Sequence, residues 1–448
     1  MKRLMSLMVF AGLFVTQQLS AESVDFSSAY KKALEYDSQI RAAKADNMIS
    51  KEEIGKARAA LRPRINLSLQ QGRNSTLSIT PYYSGTFLRD NRSYNTKTYN
   101  LSVQQPLLNL SSLAEYKQAK AIAAKSEAVL QNEESSLIVK ICQVLCNALY
   151  AEDNLEFSNA HTKASLEQLD QAKRRYEKGF GTLTEVSEAQ AAYDMAIADG
   201  VEIVNNLEFS LRELEHFTGV YSDELSKLIP EKMMLLLPEP GNVEEWVKLS
   251  RSESHEVAAA HHEIEIARKE VDKQRAYRYP TLNLVAGQTY SESDSNNIIG
   301  SVYNTYSIGL QMSIPIYSGG YVSASVRQAQ AKRLKAQEQL NWQERGTESD
   351  VRKYYNGVVV TLAQIHAYDQ AVKSSEIALK GTKKGFEMGL RTNMDVLDAE
   401  QKLLSNKRNL AKSRYQYILN RLQLKDSAGT LCESDVDEVN GWFGVVKR

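Results

Sequence analysis

The sequence predicts a mainly α fold with a small membrane β component, laid out as two copies of one helix–strand–strand–helix–helix plan. Three observations carry this. Prolines stand only at 63, 81, 106, 230, 238, 240, 280 and 315, leaving long proline-free stretches of the kind helices require. Short runs beside the outer prolines alternate apolar and polar residues, the period of a strand. The second half of the chain repeats the first.

Residues 1–21 have the make-up of a secretory signal. Lys2 and Arg3 precede an apolar run from Leu4 to Val15, and Ala21 is suited to cleavage before Glu22. The run is too short to span a bilayer, and no stretch of about 20 apolar residues follows, so no transmembrane helix is expected. Of 55 basic and 55 acidic residues, removing Lys2 and Arg3 leaves 53 against 55, a net charge of −2. Without a basic stripe, nucleic acid is not an expected partner. An exported chain of this kind is free beyond the inner membrane or sits in an outer membrane as a barrel.

The first repeat spans 22–218. It holds strands at about 64–74 and 97–106 and long helices at about 113–178 and 182–217. From 113 to 178 there is neither Pro nor Gly. A continuous helix there reaches roughly 100 Å, at about 1.5 Å per residue. Leu137, Ile138, Ile141, Leu145, Ala148 and Leu149 recur at helical spacing and form one apolar face. A helix of that length must pack along other long helices. A Pro-rich linker, 219–243, leads to the second repeat, 244–424. Its strands are expected at about 280–290 and 302–315, its long helices at about 322–388 and 392–424, with a tail at 425–448.

The duplication shows residue by residue. Pro63-Arg64-Ile65-Asn66-Leu67 matches Pro280-Thr281-Leu282-Asn283-Leu284, and Leu101 and Pro106 match Leu310 and Pro315. Tyr176-x-x-Gly179-x-x-Thr182-x-x-Glu185-Val186 matches Phe386-x-x-Gly389-x-x-Thr392-x-x-Asp395-Val396. The offset changes between the paired strands, where a loop of different length absorbs it.

Within the strands, Ile65, Leu67 and Leu69 alternate with Asn66, Ser68 and Gln70, and Tyr99, Leu101 and Val103 with Asn100, Ser102 and Gln104. Tyr306, Ile308, Leu310, Met312 and Ile314 alternate with small or polar neighbours, and Leu282 and Leu284 do so less cleanly. Each run has the length a tilted strand needs to cross hydrocarbon. A half-buried soluble sheet gives the same alternation. The export signal, the tyrosines crowding the strand ends (Tyr82, Tyr83, Tyr94, Tyr290, Tyr303, Tyr317) and the polar loops expected at 76–95 and 291–300 favour the membrane. Four strands close no barrel, and an open edge is not tolerated in lipid. The chain must associate, with two copies supplying eight strands, three twelve and four sixteen.

Locally, Thr182-x-x-Glu185 and Thr392-x-x-Asp395 read as capping boxes, and Gly179 and Gly389 as left-handed chain reversals. Asp395 and Asp398 share a helical face, a use that capping does not require of Asp398 or of Arg391. Cys142 and Cys146, four apart on a helix, are expected as buried free thiols, and Cys432 has no evident partner. The spacing of His255, His261, His262 and Glu263 fits no zinc motif, and Ser318-Gly319-Gly320 lacks the Lys of a phosphate cradle. Neither catalysis nor a cofactor is expected.

The duplicated plan, the strand-ending Pro106 and Pro315 and the twin Tyr/Phe-x-x-Gly-x-x-Thr-x-x-Asp/Glu-Val motifs resemble the TolC family of outer-membrane export ducts, over about 26–424. The resemblance implies a homotrimer: a 12-stranded β-barrel in outer-membrane lipid of a Gram-negative bacterium, continued by a 12-helix α-barrel across the periplasm. It also implies docking to a periplasmic adaptor and to an inner-membrane ABC or proton-driven transporter, for type I protein secretion, multidrug efflux or both. By the same resemblance the twin motifs lie at a periplasmic gate. The gate-latching arginine falls on Arg391, its acidic partner on Glu185, and the aromatic latch on Phe386, which lacks the hydroxyl usual there. The constriction's aspartates fall on Asp395 and Asp398, and Glu185 and Glu188 match them in the first repeat. Ringed carboxylates would attract cations and raise some of their pKa values. The residues that meet the adaptor correspond to Lys178, Gly179, Phe180, Met388, Gly389 and Leu390, with the family's small apolar residue before each Gly replaced. The competing reading is a periplasmic coiled-coil scaffold or adaptor, which would need the coils but not the Tyr-edged strands.

Overall fold

A computed structural model describes residues 24–83, 85–293 and 300–444, so the predicted signal lies outside the described residues. The first repeat opens with α1 (Phe26–Tyr36) and α2 (Ser38–Ala59). The single leading helix expected before the strands is thus broken, because Asp37 stops α1 and its carboxylate accepts the Gln39 N–H at 2.6 Å to cap α2. Strands β1 (Arg64–Tyr82) and β2 (Thr86–Leu108) follow, then α3 (Leu110–Glu177) and α4 (Leu183–Thr218). A linker with the short strand β3 (Lys227–Leu228) leads to the second repeat: α5 (Val243–Glu253), α6 (His255–Ala276), β4 (Thr281–Ser293), β5 (Ser301–Ser313), α7 (Tyr321–Glu387) and α8 (Asn393–Ser427). In the tail, α9 (Glu433–Asn440) precedes β6 (Phe443–Gly444), which pairs with β3. The copies agree in their helices: α3 and α7 have 68 and 67 residues, α4 and α8 have 36 and 35.

The strands correct one expectation. Both strands of the first hairpin run well past the ends read from sequence, through most of the stretch expected as a polar loop at 76–95. Leu77 and Ile79 continue the alternation among Thr and Ser side chains, and backbone pairing satisfies these groups better than an irregular loop. The second loop falls largely on 294–299, outside the described residues.

The four long strands form one antiparallel sheet in the order β1-β2-β4-β5. Its register gathers the apolar residues on one side. Leu67 pairs with Leu101, Tyr99 with Tyr290, Ala286 with Ile308 and Leu284 with Leu310. The Tyr99 and Tyr290 rings stack at 5.7 Å. The opposite side is polar, and there the Thr289 hydroxyl donates to Asn100 Oδ1 at 3.1 Å. Ile65, Leu67, Leu69, Ile308, Leu310 and Met312 are all more than half exposed, an apolar face that water does not suit. No described helix is long and apolar enough to cross a membrane.

The packed core lies at the middle of the helical rods. Ile141, Leu145 and Leu149 of α3 are buried against Tyr417, Ile418 and Leu422 of α8, Val358 and Ile365 of α7, Phe26 of α1, and Val436 and Trp442 of the tail. Each such side chain contributes about 1.5–3 kcal/mol by leaving water. Tyr417 ties the linker in: its hydroxyl donates to the Leu236 carbonyl at 2.8 Å and accepts the Leu236 N–H at 2.9 Å. Cys142 and Cys146 are free and buried here, their sulfurs 3.8 Å apart, and the neighbouring thiol and burial push the Cys142 pKa well up.

Candidate functional site

The twin motifs occupy the two turns that join α3 to α4 and α7 to α8. Both turns are built alike. In the first, the Phe180 N–H donates to the Arg175 carbonyl and the Gly179 N–H to the Tyr176 carbonyl, each at 2.9 Å. In the second, the Leu390 N–H donates to the Gly385 carbonyl at 2.8 Å and the Gly389 N–H to the Phe386 carbonyl at 3.0 Å. This pair of bonds satisfies carbonyls that the ending helix would leave bare, and it requires a left-handed residue between them. Gly179 and Gly389 supply it, with φ of +77° and +75°.

The return helices start on threonine. Thr182 accepts the Glu185 N–H at 3.2 Å, and Thr392 accepts the Asp395 N–H at the same distance. Only the second cap is reciprocal. Asp395 Oδ2 takes both the Thr392 N–H at 2.8 Å and the Thr392 hydroxyl at 3.0 Å. These bonds, backbone first, hold the Asp395 pKa below its ordinary value, with Arg391 adding to them. Within one chain that direction is opposite to the upward shift expected of ringed carboxylates, because the group is engaged as a cap and no second carboxylate crowds it.

The turns expose apolar side chains. Phe180, Leu390 and Met388 are 77%, 76% and 69% exposed. A chain reversal by itself needs no such exposed apolar residues. Lys178 stands exposed beside them, as does Asp398 one turn into α8, while Glu185 and Glu188 are half-buried on α4. Arg391 reaches Asp395 at 4.0 Å. Among the described residues it makes no ion pair with Glu185, the partner expected of it. Phe386 is different from its surroundings: it is buried, and its ring lies under the Arg175 guanidinium at 4.8 Å. Sequence reasoning singled out Phe386 and missed Arg175. A cation placed just before the first motif's aromatic residue was the available signal, but only the packing of the two repeats brings it over the second motif's ring.

The outer membrane efflux protein family matches residues 29–220 and 246–430. The chain is 32% identical to the alkaline protease secretion protein AprF of Pseudomonas aeruginosa, over 99% of this chain and 92% of that protein. It is 31% identical to the outer membrane protein TolC of Vibrio cholerae, with both chains covered in full. In fold it is similar to the crystal structure of the outer membrane protein VceC from Vibrio cholerae, with a TM-score of 0.74 and 21% identity over 90% of this chain and 96% of that one. A polar-lined, apolar-backed sheet on long helical rods is what an export channel requires, and a periplasmic scaffold would have no use for it. The chain belongs to the outer membrane efflux protein family, as an export channel protein of the Gram-negative outer membrane that extends into the periplasm.

Proposed function

We propose that three copies of the chain close a 12-stranded barrel above a 12-helix tube, gated where the two helix turns lie. The observation that carries this reading is the four-stranded sheet. Among the described residues its outer strands β1 and β5 have no further partner, and its exposed apolar face suits lipid. Unpaired backbone cannot remain in hydrocarbon, so strand β5 of one copy must meet β1 of the next. Of the possible copy numbers, the homotrimer is the one that the resemblance to the TolC family implies.

In that assembly Asp395 and Asp398 of every copy face the narrowest point, with Glu185, Arg391 and Phe386 setting how tightly the turns hold together. Lys178, Gly179, Phe180, Met388, Gly389 and Leu390 form the contact surface for a periplasmic adaptor, which links the duct to an inner-membrane transporter supplying the energy. A duct lined by generic polar side chains selects little, so proteins and small toxic molecules both fit it. The name of the protease-secretion relative speaks for protein cargo.

Heat-modifiable migration of outer-membrane fractions tests closure. An oligomer that resists mild heating is expected, and recovery as a soluble periplasmic monomer would overturn the reading. For the gate, Asp395→Ala with Asp398→Ala should abolish cation block of single-channel current in a planar bilayer, and persistent block would remove these residues from it.

A further inference from the structure

The two turns differ at several positions, and at one pair of them the difference is reciprocal. Under the offset that superposes the motifs, Arg175 of the first repeat matches Gly385 of the second, and Gly181 matches Arg391. Each turn therefore carries one arginine and one glycine, in exchanged places. The glycines make room for the arginines. A Cβ on Gly385 would meet Arg391 Cγ at 2.8 Å, and a Cβ on Gly181 would meet Arg175 Cβ at 3.3 Å and the Tyr176 nitrogen at 3.1 Å. The aliphatic stem of Arg391 thus folds back over its own turn.

Arg175 is seated in the same manner at its base, but its head goes elsewhere. Its Nη2 lies 3.4 Å from the Phe180 carbonyl, at the edge of hydrogen bonding. Its Nε is buried and has no hydrogen-bond partner among the described residues. What the guanidinium does face is the Phe386 ring at 4.8 Å, within the range of a cation–π contact. That ring is only 7% exposed, at a tip where the neighbouring Met388 and Leu390 stand in the open. A planar guanidinium covering a ring face suits both partners: it shields the ring and gives the charge a partner that needs no hydrogen bond.

We propose that Arg175 is a positioning residue of the periplasmic tip, holding the α7–α8 turn against the end of α3 through the face of Phe386. Arg391 then orders one turn internally, while Arg175 couples one repeat to the other. This rests on the gate reading above and adds to it the contact that fixes the resting position of the moving parts. Loss of the ring face, not loss of apolar volume, is what should release the turn.

Single-channel recording of the purified full-length oligomer in planar bilayers tests this. Arg175→Gln keeps a planar polar head on a shorter stem without the charge, and Phe386→Leu keeps burial without the ring face. Each should raise the resting conductance roughly fivefold, while Phe386→Trp, which keeps a ring face, should stay close to the parent. The double variant Arg175→Gln/Phe386→Leu should be no more open than either single one, the signature of one shared contact. The heat-resistant oligomer band should be unchanged throughout, which separates a positioning role from a structural one. Parent-like conductance in Arg175→Gln, alongside raised conductance in Arg391→Ala, would overturn the proposal and leave the gate standing. Equal conductance in Phe386→Leu and Phe386→Trp would likewise overturn it, since bulk alone would then suffice. If Arg391→Ala and Asp395→Ala with Asp398→Ala also leave current and block untouched, the gate reading itself falls.

Discussion

Helix α3 crosses two regions built on opposite terms. Between Leu137 and Leu149 its apolar residues are buried among α1, α7, α8 and the tail, and its thiols are sealed in the same core. Toward Lys178 the same helix is exposed, and the turn that follows presents Phe180 to solvent. The waist holds by volume and dryness. The tip holds by a smaller apolar cluster, Leu169, Ala172 and Ala189, and by directed contacts: two glycine reversals, two threonine caps, the Arg391–Asp395 pair and one guanidinium on one ring. A region held by few contacts is the one that moves at small cost, which suits a gate.

That contrast can be broken at either end. The largest effect belongs to the waist: Leu145→Ala should cost about 3 kcal/mol by transfer and cavity terms. Thermal unfolding should register the loss, and resting conductance should not follow it. Next comes pH. Asp426, near the end of α8, is pushed up to about 7 by burial and by the charge of Glu256, whose own pKa is raised by burial and by Asp350. A carboxyl whose folded pKa lies above its unfolded value binds its proton more tightly when folded. Its contribution to stability is therefore lost as pH rises, up to the folded value. The parent should lose on the order of 2 kcal/mol between pH 5 and pH 8 from this group. Asp426→Asn should flatten that slope in melting curves taken across the range, and an unaltered slope would show that other groups set it.

A smaller and more local effect is expected at the tip. Thr392→Ala should cost about 1 kcal/mol, felt as faster amide exchange at the start of α8 and not as a shift of global unfolding. A global shift would mean that the tip is coupled to the waist more tightly than its contacts indicate. Smallest of all, Phe180→Ser should change stability by less than about 0.5 kcal/mol. Co-purification of the adaptor with the channel should nonetheless be lost, and retained co-purification would move the proposed docking surface elsewhere.

The chain's duplication, its long rods and its alternating strands were legible in sequence because each is written in local periodicity. The absence of Pro and Gly through α3, the paired Thr-x-x-acid caps and the twin glycines act within a few residues, and so they can be read without knowing the fold. Strand ends were less legible. The Thr- and Ser-rich continuation of β1 and β2 has the composition of a loop, and only pairing between the strands makes it sheet. The breaks between α1 and α2 and between α5 and α6 were missed because each turns on one residue, Asp37 with a capping hydrogen bond and Ser254 without one.

What tertiary structure alone decided concerns residues far apart in the chain. Burial of the tail against α1, α3 and α8, the tie from Tyr417 to the linker and the lifted pKa of Asp426 depend on which rods lie side by side. The placing of Arg175 over Phe386 depends on the two repeats ending at one level. Periodicity along a helix states which face is apolar, but not which partner covers it. That choice belongs to packing, where side chains distant in sequence compete for the same space.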